Sequence, residues 1–170
     1  MTRSHRLPLF RATEPDVYEF DTSSWFNIDP RPDSEQVWQL VIRLINQGRI
    51  VSCLQVLDEM RNDPIFTRLH SYEVALRTGD HKGDDPSYLQ HVGRITHDYP
   101  AMSKATGRKT PADPYVVALA ELEGYVVVCD ESIRRQNRKI PGVCQQRNIR
   151  CITLDEFVAA NSAGAAGAAS

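Results

Sequence analysis

The chain has 170 residues, 41% of them hydrophobic and 25% charged, the composition of one ordinary globular domain. Twenty Lys and Arg against 22 Asp and Glu leave a net charge of -2, which excludes a generic polyanion-binding protein, so any nucleic-acid contact must come from local charge. No run approaches the roughly 18 apolar residues of a membrane span, and a chain of this length buries about 70% of its unfolded surface on folding, enough for a core without crosslinks.

Residues 1–16 mix Arg, Pro, Thr and acids without period and read as a loose extension, with no pattern of a secretory leader. Val17-Tyr18-Glu19-Phe20 reads as a first strand that stops at Asp21-Thr22-Ser23. Asp33 and Gln36 resemble a capping box ahead of the stripe Val37, Leu40, Val41, Leu44 and Ile45, which predicts a helix over 34–47 closed by Gly48. Ile50 to Cys53 predicts a second strand running into a helix with Val56, Leu57 and Met60 on one side. More helix is expected from Pro64 to Pro100, broken by a polar turn from Gly79 to Pro86. A basic loop over 103–111 leads to Asp113-Pro114, where Asp as cap, Pro at the first position and Gly124 at the far end bracket a helix. Tyr125 to Cys129 and Ile149 to Ile152 predict two further strands, the latter followed by a short helix from Leu154, and the Ala/Gly/Ser stretch 159–170 reads as a disordered tail. Apolar strands alternating with helices predict an α/β fold, a three-layer α/β/α sandwich with a mainly parallel central sheet, over residues 17–158.

Cysteines 53, 129, 144 and 151 form no C-x-x-C pair, and histidines 5, 70, 81, 91 and 97 do not join them at finger spacing. Small buried hydrophobes are therefore expected in place of zinc ligands, in a reducing, cytoplasmic compartment.

Ligands of parallel sheets bind beyond the carboxyl ends of the strands. Asp21 follows the first strand, Asp130 and Glu131 follow the Val-rich strand, and Asp113 opens a helix that should start at the same edge. At 100° per residue, Glu59 lies roughly 110° from the centre of its helix's apolar stripe and Asp58 roughly 150°, so Glu59 is the nearer to the protein body. Each acid alone has a structural reading: cap for Asp113, turn for Asp21, strand end for Asp130-Glu131, solvated helix acid for Glu59. Together they read as a cluster. Two carboxylates 4 Å apart repel by about 4 kcal/mol at an effective dielectric of 20, which calls for protonation or a bound cation. All-oxygen ligands suit Mg2+ or Mn2+, which can activate water and stabilise the leaving oxygen of a phosphodiester.

Asp21-Thr22-Ser23 after a first strand, an acid on the helix after the second, Ala112-Asp113-Pro114 opening an apolar helix, and a Val-rich strand entering Cys129-Asp130-Glu131 together resemble the PIN-like domains. The strings Gly48-Arg49-Ile50-Val51-Ser52, Lys139 to Cys144 and Arg150-Cys151-Ile152 are similar to a bacterial branch of that family. The resemblance implies a Mg2+- or Mn2+-dependent ribonuclease, commonly the toxin of a type II toxin-antitoxin pair, restrained by a small antitoxin protein. It implies Asp21, Glu59, Asp113 and one of Asp130 or Glu131 as catalytic metal ligands, with Ser23 a supporting hydroxyl. Glu131 holds the register at which family members carry Asp, whereas Glu19 interrupts a first strand that is normally apolar, and the sixteen residues before it have no counterpart in minimal members. The alternative is a PIN-like module without catalysis that binds RNA or protein.

Six basic residues and no acid occupy 132–154: Arg134, Arg135, Arg138, Lys139, Arg147 and Arg150. With Lys104, Arg108 and Lys109 they are expected to border the acidic edge and contact RNA phosphates, single-stranded or structured. Trp25, Phe26 and Tyr115 could stack on bases but read first as core. Partners expected are RNA and an antitoxin, with a second copy of the chain left open and no membrane. A phosphatase of the haloacid type needs Asp where Ser23 stands, and no glycine-rich phosphate loop follows any strand.

Overall fold

The computed structural model describes residues 15–77, 85–103, 111–131 and 139–162. In chain order these form β1 (Tyr18–Phe20), α1 (Thr22–Phe26), α2 (Ser34–Asn46), β2 (Ile50–Val51), α3 (Leu54–Met60) and α4 (Pro64–Leu69). A 3-10 turn (His70–Tyr72) leads to α5 (Glu73–Leu76), then α6 (Pro86–Asp98), α7 (Asp113–Glu123), β3 (Val126–Val128), α8 (Ile140–Gln146), β4 (Cys151–Ile152) and α9 (Leu154–Ser162). The four strands are all parallel, in the order β2-β1-β3-β4, and helices cover both faces. The predicted α/β/α sandwich is thus the observed architecture.

Register sorts the strand side chains between the two faces, because directly paired residues of parallel strands point the same way. Tyr18, Ile50 and Val126 share one face with Phe20 and Val128. There Tyr18 and Phe20 each meet the ring of Phe157 on α9 edge-on at 4.9 Å, and Phe20 continues to Trp25 at 4.7 Å. Trp25 stacks on Trp38 of α2, whose predicted stripe of Val37, Leu40, Val41, Leu44 and Ile45 is buried. Each such aliphatic side chain contributes about 1.5–3 kcal/mol relative to exposure. Glu19, Val51, Val127 and Cys151 take the opposite face. Glu19 is fully buried in the central strand, and its charge works to raise both Tyr125 and Cys144, although burial, for Tyr125, and the Cys151 contact, for Cys144, are the larger causes there.

Several local expectations are corrected. Asp33 occupies the cap position of α2 but makes no capping hydrogen bond, because Arg31 takes both its oxygens at 2.8 and 3.2 Å. Asp113 is the first residue of α7, not its cap, which is Ala112. Gly124 does end that helix, at φ 72°, in the left-handed region that lets its N–H reach the Ala120 carbonyl at 2.9 Å. Helices α1 and α8 were not expected. Both are short and carry no long apolar stripe, and α1 is fastened instead by buried polar bonds, Ser24 Oγ donating to the Val128 carbonyl at 2.8 Å and Trp25 Nε1 to Ser52 Oγ at 3.0 Å. Helix α9 runs to Ser162, four residues into the stretch expected as a tail, because alanines at 159 and 160 are good helix formers. The extension 1–14 and residues 163–170 lie outside the described residues, as does most of the polar turn after Gly79. Cys53, Cys129 and Cys144 are buried cysteines and Cys151 is partly buried. Among the described residues no helix is long and apolar enough to cross a membrane.

Candidate active site

The strand order places a switch point at the carboxyl ends of β1 and β3: the chain leaves β1 toward β2 on one side and returns to build β3 and β4 on the other. At such a point in a parallel sheet adjacent loops part, and ligands bind there. Asp21 sits at the end of β1, and its backbone N–H donates to the Val128 carbonyl at 3.1 Å, so β1 and β3 are still paired where the acids begin.

Asp21 is 4% exposed and caps α1: its Oδ2 accepts from the Ser23 N–H at 3.3 Å and the Ser23 hydroxyl at 2.7 Å, with Cys129 Sγ a third donor at 3.4 Å. Burial outweighs these bonds and raises its pKa, with the charge of Glu131 adding to the rise. Ser23 Oγ in turn accepts the Asp130 N–H at 3.1 Å, so this hydroxyl ties the loop after β3 to the carboxylate after β1.

Glu59 projects from α3 as the helical wheel places it, half-buried, while Asp58 is exposed and pairs with Arg61. Glu59 Oε2 accepts from Thr22 Oγ1 at 2.5 Å and Oε1 from the Ala112 N–H at 3.0 Å. One side chain thereby joins α1, α3 and the start of α7. Its carboxylate accepts the N–H of Ala112, the residue that caps α7.

Asp113 is pushed up to about 7, first by burial, then by the charges of Asp21 and Glu131, with Lys139 lowering it and Glu59 raising it further. This list of neighbours draws the four acids and one lysine into a single electrostatic group. Asp130 does not belong to it. Its Oδ1 accepts the Leu154 N–H at 2.8 Å and its Oδ2 accepts Asn27 Nδ2 at 3.0 Å, so both oxygens brace α9 and the end of α1. Glu131 is the fourth acid by position: Oε1 contacts Lys139 Nζ, and Oε2 is buried without a hydrogen-bond partner among the described residues.

As held by these donors, no three His, Cys, Asp or Glu side chains among the described residues stand close enough to share one ion. Asp21 is drawn to Ser23 and Cys129, Glu59 to Thr22 and Ala112, and Glu131 to Lys139. The donor set nonetheless fits a hard divalent cation: carboxylate oxygens, one of them buried with no hydrogen-bond partner among the described residues, and an Asp113 carboxyl raised first by burial and then by the charges of its neighbours.

The family described as Domain of unknown function (DUF4411) matches residues 18–164. The chain belongs to this family. Its match begins with β1 and ends just past α9, so every described element, and all of the acids above, lie within the DUF4411 domain. No curated protein matches the chain.

The basic side chains of the DUF4411 domain divide differently from the expectation. Arg147 lies at the opposite end of α7 from Asp113, with Nε and Nη2 each 2.9 Å from Glu121, and Arg150 pairs with Asp16 before β1. Both sit at the amino edge of the sheet and are corrected from the acidic edge. Among the described residues Lys139 is the basic side chain of this segment that reaches the acids. Lys104, Arg108, Lys109, Arg134, Arg135 and Arg138 lie outside the described residues. Trp25 is core and Tyr115 packs on Tyr88, whereas Phe26 is 39% exposed.

Three site residues escaped the sequence reading. Thr22 was read only as part of a turn, Cys129 only as a buried hydrophobe, and Lys139 only as one of six basic positions. The hydroxyl two positions on from Asp21 signals an Asx-type turn, which marks Ser23; no local signal marks Thr22 as a partner of Glu59, 37 residues away.

Proposed function

We propose that this chain is a divalent-metal-dependent endoribonuclease that hydrolyses RNA phosphodiester bonds. The observation that carries the reading is Asp113, a carboxyl group held near neutrality by burial and by three other acids at the sheet's switch point. Such a cluster costs stability and persists where function uses it. Asp21, Asp113 and Glu131 would hold Mg2+ or Mn2+, with Glu59 at the margin of the site. When bound, the ion supplies Lewis-acid polarisation of a phosphate and a more acidic water. Ser23 keeps Asp21 oriented, Glu59 fixes the start of α7 and therefore Asp113, and Asp113 can hold or release a proton at its carboxylate near neutral pH.

The resemblance to PIN-like toxins supports a toxin role with a cognate antitoxin and a cytoplasmic location, to which the cysteines are suited. The decisive experiment incubates single-stranded RNA with the full chain and Mn2+, alongside Asp21→Asn and Asp113→Asn. The reading expects cleavage by the parent chain, none by the two variants, and Mn2+-dependent thermal stabilisation of the parent. An inert chain that gains nothing from Mn2+ would instead be a binding module. A small DNA-binding protein encoded directly upstream would support the toxin role.

A further inference from the structure

Lys139 caps α8 in an extended conformation, φ -129° and ψ 147°, and is followed by buried Ile140. The backbone under it is therefore anchored to the core. Its side chain is 40% exposed while that of its partner Glu131 is 18% exposed, so the ammonium comes from the solvent side and reaches inward. The contact is to Glu131 Oε1, and the other oxygen of the same carboxylate is buried with no partner among the described residues. The charge of Lys139 also acts on Asp113 and Asp21. Arg31, Arg61, Arg147 and Arg150 are ion-paired to acids outside this group.

We infer that Lys139 is a tethered counter-ion of the carboxylate site: it occupies Glu131 while no divalent cation is bound, and an entering cation must displace it or share that carboxylate with it. The inference rests on the metal-site reading above. Its physical content is competition. A fixed positive charge beside a divalent ion is repelled by it, and Glu131 cannot turn toward the ion without loosening its hold on Lys139. The lysine thus holds an otherwise uncompensated acid in place and sets a threshold for metal loading.

The test is isothermal titration of the full-length chain with MnCl2 at pH 8 and low salt. Lys139→Met should bind Mn2+ about tenfold more tightly than the parent, Lys139→Arg should stay close to the parent, and the gain should vanish in a Glu131→Gln background. Lys139→Gln, which keeps a hydrogen-bond donor, repeats the measurement should the Met variant fold poorly by circular dichroism. Equal or weaker Mn2+ binding by the folded Lys139→Met and Lys139→Gln variants overturns the inference while the parent's own Mn2+ binding leaves the site reading standing. If neither the parent nor the Lys139 variants bind Mn2+, both fall.

Discussion

The two ends of α7 carry two carboxylates in opposite predicaments. At its start Asp113 is pushed up to about 7, first by burial and then by the charges of Asp21, Glu131 and Glu59, with Lys139 as partial relief. Two turns on, burial also works to raise Glu121, but the Arg147 hydrogen bonds, and with them His91, outweigh it and hold the group below its ordinary value. The guanidinium grips Glu121 with two nitrogens at 2.9 Å and reaches Asp98 at 3.4 Å. One helix therefore has a carboxylate balanced by a guanidinium at its carboxyl end and a carboxyl raised by burial and by other acids at its amino end. The first cluster joins α6, α7 and α8. The second lies at the carboxyl ends of β1 and β3, where Lys139 is the cation that reaches it among the described residues.

The largest effect that could break this contrast is on catalysis. Asp113→Asn should lower Mn2+-dependent RNA cleavage by about a thousandfold, roughly 4 kcal/mol of barrier, and retained cleavage would remove Asp113 from the chemistry. The same change should stabilise the fold, with a sign set by linkage. Between about pH 4 and 7 the folded chain keeps a proton on Asp113 that the unfolded chain has released, so stability falls as pH rises through that window. Asp113→Asn should accordingly gain up to about 4 kcal/mol at pH 8 and almost nothing at pH 4 by urea unfolding; equal gains at the two pH values would mean that its neighbours do not strain it. Next in size, Mn2+ at a hundred times its Kd should stabilise the parent by about 2.7 kcal/mol at pH 8. At pH 6 a proton on Asp113 competes with the ion, and a Kd about tenfold higher leaves roughly 1.4 kcal/mol at the same Mn2+ concentration. The smallest effect belongs to the other end. Arg147→Ala should cost about 1–2 kcal/mol and leave Mn2+ stabilisation untouched, and a loss of the Mn2+ response there would show the two ends to be coupled.

Much of this was legible along the chain. The stripe of α2, the Pro–Gly bracket around α7 and the Val run of β3 are local signals, each set by residues within a few positions of one another, and the structure follows them. Glu59 over Asp58 also followed from helix geometry alone. The cap of α2 failed for a reason of competition: Arg31 offers Asp33 two bonds from a cationic guanidinium where the capping box offered one from a neutral backbone N–H. The short helices α1 and α8 escaped because neither has enough turns to show a period.

The sequence by itself determined the class of fold, the parallel sheet and the delivery of several acids to one of its edges, because hydrophobic period and strand-to-helix order act over short spans of chain. Only the tertiary structure decided between neighbours of like chemistry. Asp130 went to brace Leu154 and Asn27 while Glu131 joined the acids, and Arg147 closed a cluster at one edge while Lys139 entered the site at the other. Those choices depend on which groups lie within a few ångströms in space, where Coulomb and hydrogen-bond energies are steep, and separation along the chain carries no record of that distance.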